Sequence, residues 1–210
     1  DPPTNDFWGG FHPGDNLFAT SIVAVHAETG ERAWHFQTVH HDIWNYDNPT
    51  APNLVDVMID GKKVPLLVQT TKQSFAYVLN RETGEPVWPI EEREVPESMI
   101  PGEQTSPTQP FPTRPAAYEM QGVTVDDLID YTPELRAEAE EILSQFEYGP
   151  LFTPPSMRGT ILMPGWGGGA NWYGAAFDPE TGYFYVPSRT GPMVVQIVEG
   201  NPERGDFAYV

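Results

Sequence analysis

The sequence contains no cysteine, which excludes disulfides, thiolate metal sites and cysteine nucleophiles while leaving the redox compartment open. Basic residues are scarce: 11 Lys and Arg stand against 30 Asp and Glu, a formal net charge of −19. A field of that sign repels polyanions, so nucleic acid is not expected among the partners. Plain solubility, a salty medium and a cationic partner remain open readings of the same charge. No run approaches the roughly 18 apolar residues of a membrane helix, and the opening stretch from Asp1 to Gly10 lacks the basic and apolar regions of a signal peptide. Such a start also suits an internal piece of a longer chain, with any targeting signal lying outside it.

What is present is a chain of 210 residues, 39% apolar, with six Trp, 23 Pro and 19 Gly, a composition for a packed but loop-rich, mainly β protein. A repeat runs through it. Ile22 to Trp34 recurs as Phe75 to Trp88 and, more weakly, as Ala175 to Val186, each copy placing Glu-Thr-Gly between two apolar stretches. The glycines, Gly30, Gly84 and Gly182, can supply the positive φ of a hairpin turn. Gly30 and Gly84 are 54 positions apart, about one four-stranded propeller blade, whereas the longer interval to Gly182 leaves room for an insertion. Three unrelated hairpins sharing a turn are the alternative. Against it, a tryptophan follows the glycine by four residues in the first two copies.

Residues 89–160 are expected to form that insertion. Pro89 to Pro115 is proline-rich, and Thr132-Pro133-Glu134 then reads as an N-cap, a first-turn proline and a favourable first-turn acid. Leu135, Ala139, Ile142, Leu143 and Phe146 recur at helical spacing as a docking face. Beyond it, Pro164 to Gly174 is too glycine-rich for a regular strand. Without a following helix it has no phosphate-cradling context, so it reads as a site wall built from Trp166, Asn171 and Trp172 or as a turn between blades.

The densest polar cluster, Thr38 to Pro49, directly follows the second strand of the first repeat and holds two histidines, two carboxylates, an indole, a phenol and two asparagines. Loops at strand ends are where a rigid scaffold places a site. His40 and His41 are adjacent, point apart on an extended chain, and read as local hydrogen-bonding residues more readily than as joint ligands of one metal.

Read in order, Pro13-Gly-Asp-Asn16, Ser21-Ile-Val-Ala-Val25, Trp34-His-Phe-Gln-Thr38, His41-Asp-Ile-Trp44, Thr71-Lys-Gln73, Thr105-Ser-Pro-Thr-Gln-Pro-Phe111, Leu151-Phe-Thr-Pro-Pro155, Gly159-Thr-Ile161 and Gly168-Gly-Ala-Asn-Trp172 resemble the quinoprotein alcohol and glucose dehydrogenases. The likeness covers nearly the whole chain and is nearer the glucose-oxidising branch. It implies an all-β, eight-bladed propeller with tryptophan-docking repeats, of which residues 1–210 form only part and need the remaining blades or a partner chain. It also implies transfer of a hydride from a sugar or alcohol hydroxyl to bound pyrroloquinoline quinone, with calcium or another divalent or lanthanide ion. Electrons would pass to a quinone or cytochrome, in a periplasmic or extracytoplasmic setting, with any membrane association through segments outside the chain. No Cys-x-x-Cys-His haem site is present.

The resemblance also assigns residues. The family's general base is an Asp after the loop tryptophan; here that position is Asn45, and an amide accepts no proton at useful pH. Asp42 and Asp47 are the nearby carboxylates that could stand in. Lys72, 27 residues beyond Asn45, matches the basic residue that contacts the quinone oxygens, where a cation stabilises charge developing on reduction. Asn171 resembles an asparagine that hydrogen-bonds the quinone, Trp166 or Trp172 would pack near its ring, and Asn5 is the candidate for the metal's asparagine ligand, beside a glutamate upstream of the chain. Asn45 leaves a second reading open, a non-catalytic propeller used for binding or assembly.

Overall fold

The structure, a computed structural model, describes residues 2–3 and 5–210. It is mostly sheet with one α-helix. Strands β1 (Ser21–Val25) and β2 (Arg32–Gln37) form a hairpin; β3 (Asn53–Ile59), β4 (Lys62–Thr70) and β5 (Ala76–Asn80) form an antiparallel three-stranded meander; β6 (Ile90–Glu94) pairs with β7 (Thr108–Pro112). Helix α1 (Pro133–Leu143) follows, then β8 (Thr160–Leu162), β9 (Ala176–Phe177), β10 (Phe184–Tyr185) and β11 (Met193–Val195), with β9 and β10 in a hairpin and β8 closing on β11.

The three repeats share one turn. Gly30, Gly84 and Gly182 lie at φ 73°, 77° and 75°, and each donates its N–H to the carbonyl four residues back, on His26, Asn80 and Asp178 (2.7, 2.8 and 2.8 Å). The preceding threonines, Thr29, Thr83 and Thr181, accept from the N–H two residues on, at 3.2, 3.2 and 3.4 Å. The Glu-Thr-Gly signature is therefore a turn whose side chains complete its own hydrogen bonds. Trp34, on β2, lies over the second turn and donates from Nε1 to the Arg81 carbonyl at 3.1 Å.

The proline-rich stretch contains a ladder, with Glu92 opposite Pro110 and Ile90 opposite Pro112. The two prolines are two residues apart, so their missing N–H groups fall on one side of β7, where a two-stranded sheet needs no donor. Helix α1 begins where the capping signature places it, the Thr132 hydroxyl accepting from Leu135 N at 3.3 Å. Its apolar stripe docks less than the spacing implies: Leu143 is buried and Phe146 packs on Gly159, but Leu135 and Ile142 are 39% and 51% exposed. Only the C-terminal end of the helix reaches the body of the protein.

The main core draws on nearly the full length of the chain, joining Trp8, Trp44, Tyr46, Tyr77, Phe152 and Ile197. Aromatic edges dominate it, with Phe152 meeting Trp44, Tyr46 and Phe111 at centroid separations of 5.2, 5.9 and 5.6 Å. No helix among the described residues is long and apolar enough to cross a membrane.

Candidate functional site

The loop after β2 is fixed by alternation. Trp44 and Tyr46 are buried and nearly parallel, with Trp44 Nε1 donating to the Thr153 carbonyl and Tyr46 Oη to that of Pro164. Asn45 and Asp47 turn the other way, to Lys72. Asn45 sits at φ 57°, in the left-handed region that Asn tolerates better than most residues.

Lys72 stands between β4 and β5 in the buried run Thr71 to Ser74. Its ammonium donates to the Asn45 backbone carbonyl (2.9 Å), to Asn45 Oδ1 (2.5 Å) and to Asp47 Oδ1. All three ammonium donors are thereby used inside the protein. The same contacts orient the Asn45 amide: Oδ1 faces the cation, and Nδ2 donates to Asp6 Oδ2 at 2.8 Å. The structure thus brings Lys72, Asn45 and Asp47 together and adds Asp6.

Asp42 lies elsewhere. Its carboxylate is 2% exposed and accepts from Trp44 N, Tyr46 N and Thr20 Oγ1, at 2.9–3.1 Å. Burial pushes it up to about 6 against the pull of those donors. That arrangement caps the loop backbone and offers no open face to a substrate, which corrects the expectation that Asp42 could stand in as base.

The two histidines point apart, on bends and not on a strand. His40 meets Gln37 and Glu92. His41 is buried against Glu103, Nε2 to Oε1 at 2.6 Å, with Nδ1 on the Gly14 carbonyl at 2.8 Å. Both ring nitrogens face acceptors, an arrangement that favours the protonated ring, which has a donor at each. Burial alone would lower His41, but Glu103, the Gly14 carbonyl and the charge of Asp15 outweigh it and hold the imidazole above its ordinary value. Glu103 is likewise pushed up by burial and pulled further down by His41 and the N–H groups of Gly9 and Gln104.

The glycine cluster packs on the Lys72 loop. A Cβ on Gly168 would lie 2.7 Å from Lys72 Cγ and one on Gly169 would strike Ser74 Oγ, while Gly169 N donates to the Lys72 carbonyl at 2.8 Å. These glycines are needed for close approach to protein, and they brace the lysine from behind. Asn171 Nδ2 donates to the Gly167 carbonyl, and Asn171, Trp172, Tyr173, Gly167 and Arg189 line an open cavity of about 340 Å³. Trp172 is 83% exposed, and Trp166 meets Phe7 edge-on at 6.0 Å, next in the chain to Asp6. Asn5 donates from Nδ2 to the Tyr209 carbonyl at 2.9 Å, a contact that does not engage its Oδ1.

Asp6, Glu103 and Arg189 carry no signal in the sequence that marks them. Each is a single charged residue in a loop, brought in by tertiary folding. A buried cation beside an amide, on a loop braced by the glycine segment that also carries Trp166 and Trp172, suits a flat, oxygen-rich anionic ring if the cation exchanges one of its internal acceptors. Among the described residues, no group of three His, Asp or Glu side chains is placed to hold a metal ion.

Residues 1–207 match the family described as PQQ: Glucose/ethanol/alcohol dehydrogenase, beta-propeller domain. The chain is 35% identical over 95% of its length to the quinoprotein glucose dehydrogenase of Escherichia coli (strain K12), and 39% identical over 95% to that of Gluconobacter oxydans (strain 621H). It covers 25% of each, so it spans about a quarter of the length of these curated relatives. A europium-containing methanol dehydrogenase superposes with a TM-score of 0.52 at 26% identity, over 87% of this chain and 26% of that one. The chain belongs to the PQQ glucose/ethanol/alcohol dehydrogenase family, as part of its β-propeller domain.

Proposed function

We propose that this chain supplies part of the reaction face of an oxidoreductase that takes a hydride from the carbon bearing a sugar or alcohol hydroxyl. Pyrroloquinoline quinone is the acceptor, and electrons pass on to a quinone or cytochrome in an extracytoplasmic setting. The carrying observation is Lys72, a buried ammonium held against Asn45 and braced by Gly168.

When bound, the quinone supplies an electrophilic carbon for hydride. Lys72 would exchange one of its internal acceptors for a quinone oxygen and stabilise the negative charge gathering there. Asn171 would hydrogen-bond the ring, with Trp166 or Trp172 against its face. The ion, calcium or another divalent or lanthanide ion, would take its ligands from cofactor oxygens and further oxygen donors; Asn5 could offer its Oδ1 while Nδ2 stays on Tyr209. Residues 1–210 would form part of one eight-bladed ring, with 89–160 as an insertion between blades. Trp34 over the Gly84 turn is the contact that supports docking of one blade's tryptophan on the next.

Quinone binding is read by titrating the complete protein with pyrroloquinoline quinone and calcium, and turnover by dye reduction across a panel of sugars and alcohols. Lys72→Ala is expected to weaken quinone binding at least about tenfold, the loss of one charge-assisted hydrogen bond. Unchanged affinity in a folded variant overturns the role of Lys72. The amide at Asn45 favours the second reading, a non-catalytic scaffold, which predicts tight quinone binding with no reduction of dye by any substrate.

A further inference from the structure

Of the carboxylates that approach the loop that carries Asn45, three near its centre are committed. Asp42 is buried and caps the backbone of Trp44 and Tyr46. Asp47 is paired with Lys72. Glu103 is paired with His41 and accepts from Gly9 and Gln104. Asp6 is different: it is part-exposed, its Oδ2 accepts from Asn45 Nδ2 at 2.8 Å, and among the described residues it pairs with no cation. The amide that cannot itself take a proton therefore holds a carboxylate that can, from a segment 39 residues away.

The pairing is specific in its polarity. Lys72 fixes Asn45 Oδ1 toward the cation, so the donor end of the amide must face Asp6. A carboxylate at position 45 would stand against Asp6 as a like charge, whereas an amide there orients it. Asn45 and Asp6 thus read as one unit, in which an amide stands at the family's base position and a carboxylate is brought to it from position 6.

We propose that Asp6 is the general base of the reaction and Asn45 its positioning residue, an inference that rests on the oxidoreductase reading above. The substrate O–H bond breaks with its proton passing to the Asp6 carboxylate. The C–H bond on the same carbon breaks with its electron pair, leaving as hydride to the quinone. The substrate departs as a carbonyl compound, and the proton on Asp6 is released to solvent.

The test uses the complete protein loaded with the quinone and calcium. Asp6→Asn is expected to lower kcat by about a hundredfold or more, the usual weight of a general base, while quinone affinity by titration stays within about threefold of wild type. The swapped pair, Asp6→Asn with Asn45→Asp, restores one carboxylate facing one amide and is expected to recover most of the lost turnover. Turnover within about threefold of wild type in Asp6→Asn overturns the proposal, as does a swap no better than the single variant. A wild type that binds the quinone without turnover, and gains it on Asn45→Asp alone, overturns Asp6 as base while sparing the quinone site. A wild type that binds no quinone overturns the reading on which both rest.

Discussion

At the scale of single residues, the ammonium of Lys72 and the carboxylate of Asp47 are 8% and 10% exposed, which makes their pairing costly to break from one side only. Removing one member of a buried pair strands the other charge, at about 3–5 kcal/mol. Lys72→Met is therefore expected to destabilise by about 3 kcal/mol in denaturant unfolding, and Lys72→Met with Asp47→Leu to recover most of that loss. Equal stability of the single and double variants would show that Asp47 is not stranded. Lys72 could be proposed as a quinone contact from the sequence because its spacing from Asn45 matches the family resemblance. Asp6 could not be singled out, because nothing local distinguishes one loop aspartate from another; its meaning comes from Asn45 Nδ2.

At the scale of elements, the repeated turn allows three substitutions to be compared in one conformation. Alanine at Gly30 or Gly182 meets only the backbone penalty of a positive φ, since nothing lies within 4 Å of the added Cβ, and is expected to cost about 1–2 kcal/mol. At Gly84 the same Cβ would lie 2.7 Å from the Trp34 indole, adding an overpacking cost of about 1–3 kcal/mol. Thermal melts should therefore rank Gly84→Ala lowest, and equal melting points would remove Trp34 from the account. These turns could be read from the sequence because a turn's chemistry is local: a glycine for φ and a threonine for the free N–H. The β6 and β7 ladder could not, because Pro110 and Pro112 suppress every propensity signal for a strand while harming only the unpaired side. The helix was legible at its cap but not in its packing, since periodicity marks an apolar face without saying what covers Leu135 and Ile142.

At the scale of the whole molecule, the His41 and Glu103 pair joins three distant stretches: the Gly9 to Gly14 loop, the loop that ends at Asn45, and the turn at Glu103. Its two members set opposite limits in pH. The His41 imidazole is raised, so its contribution is full below its unfolded value and is lost as pH rises through the folded one. The Glu103 carboxyl is lowered, so its contribution is full above its unfolded value and is lost as pH falls through the folded one. Stability from the pair is therefore greatest between those limits. Asp42, raised from its ordinary value to about 6 by burial, adds a separate decline as pH rises between those values, on the acid side of the His41 limb, and this will persist without the pair. His12, with its ring 5.3 Å from that of His41, and Asp15 are the other charged or titratable groups facing it. His41→Gln with Glu103→Gln should flatten both limbs while leaving the Asp42 component. Unfolding free energies from about pH 4 to about 9 check this: a wild-type advantage that is greatest between the ordinary Glu and His values, in the mildly acidic range, supports the pair as an ionic staple. An advantage constant across that range would mean that His41 and Glu103 act there as neutral hydrogen-bonding groups.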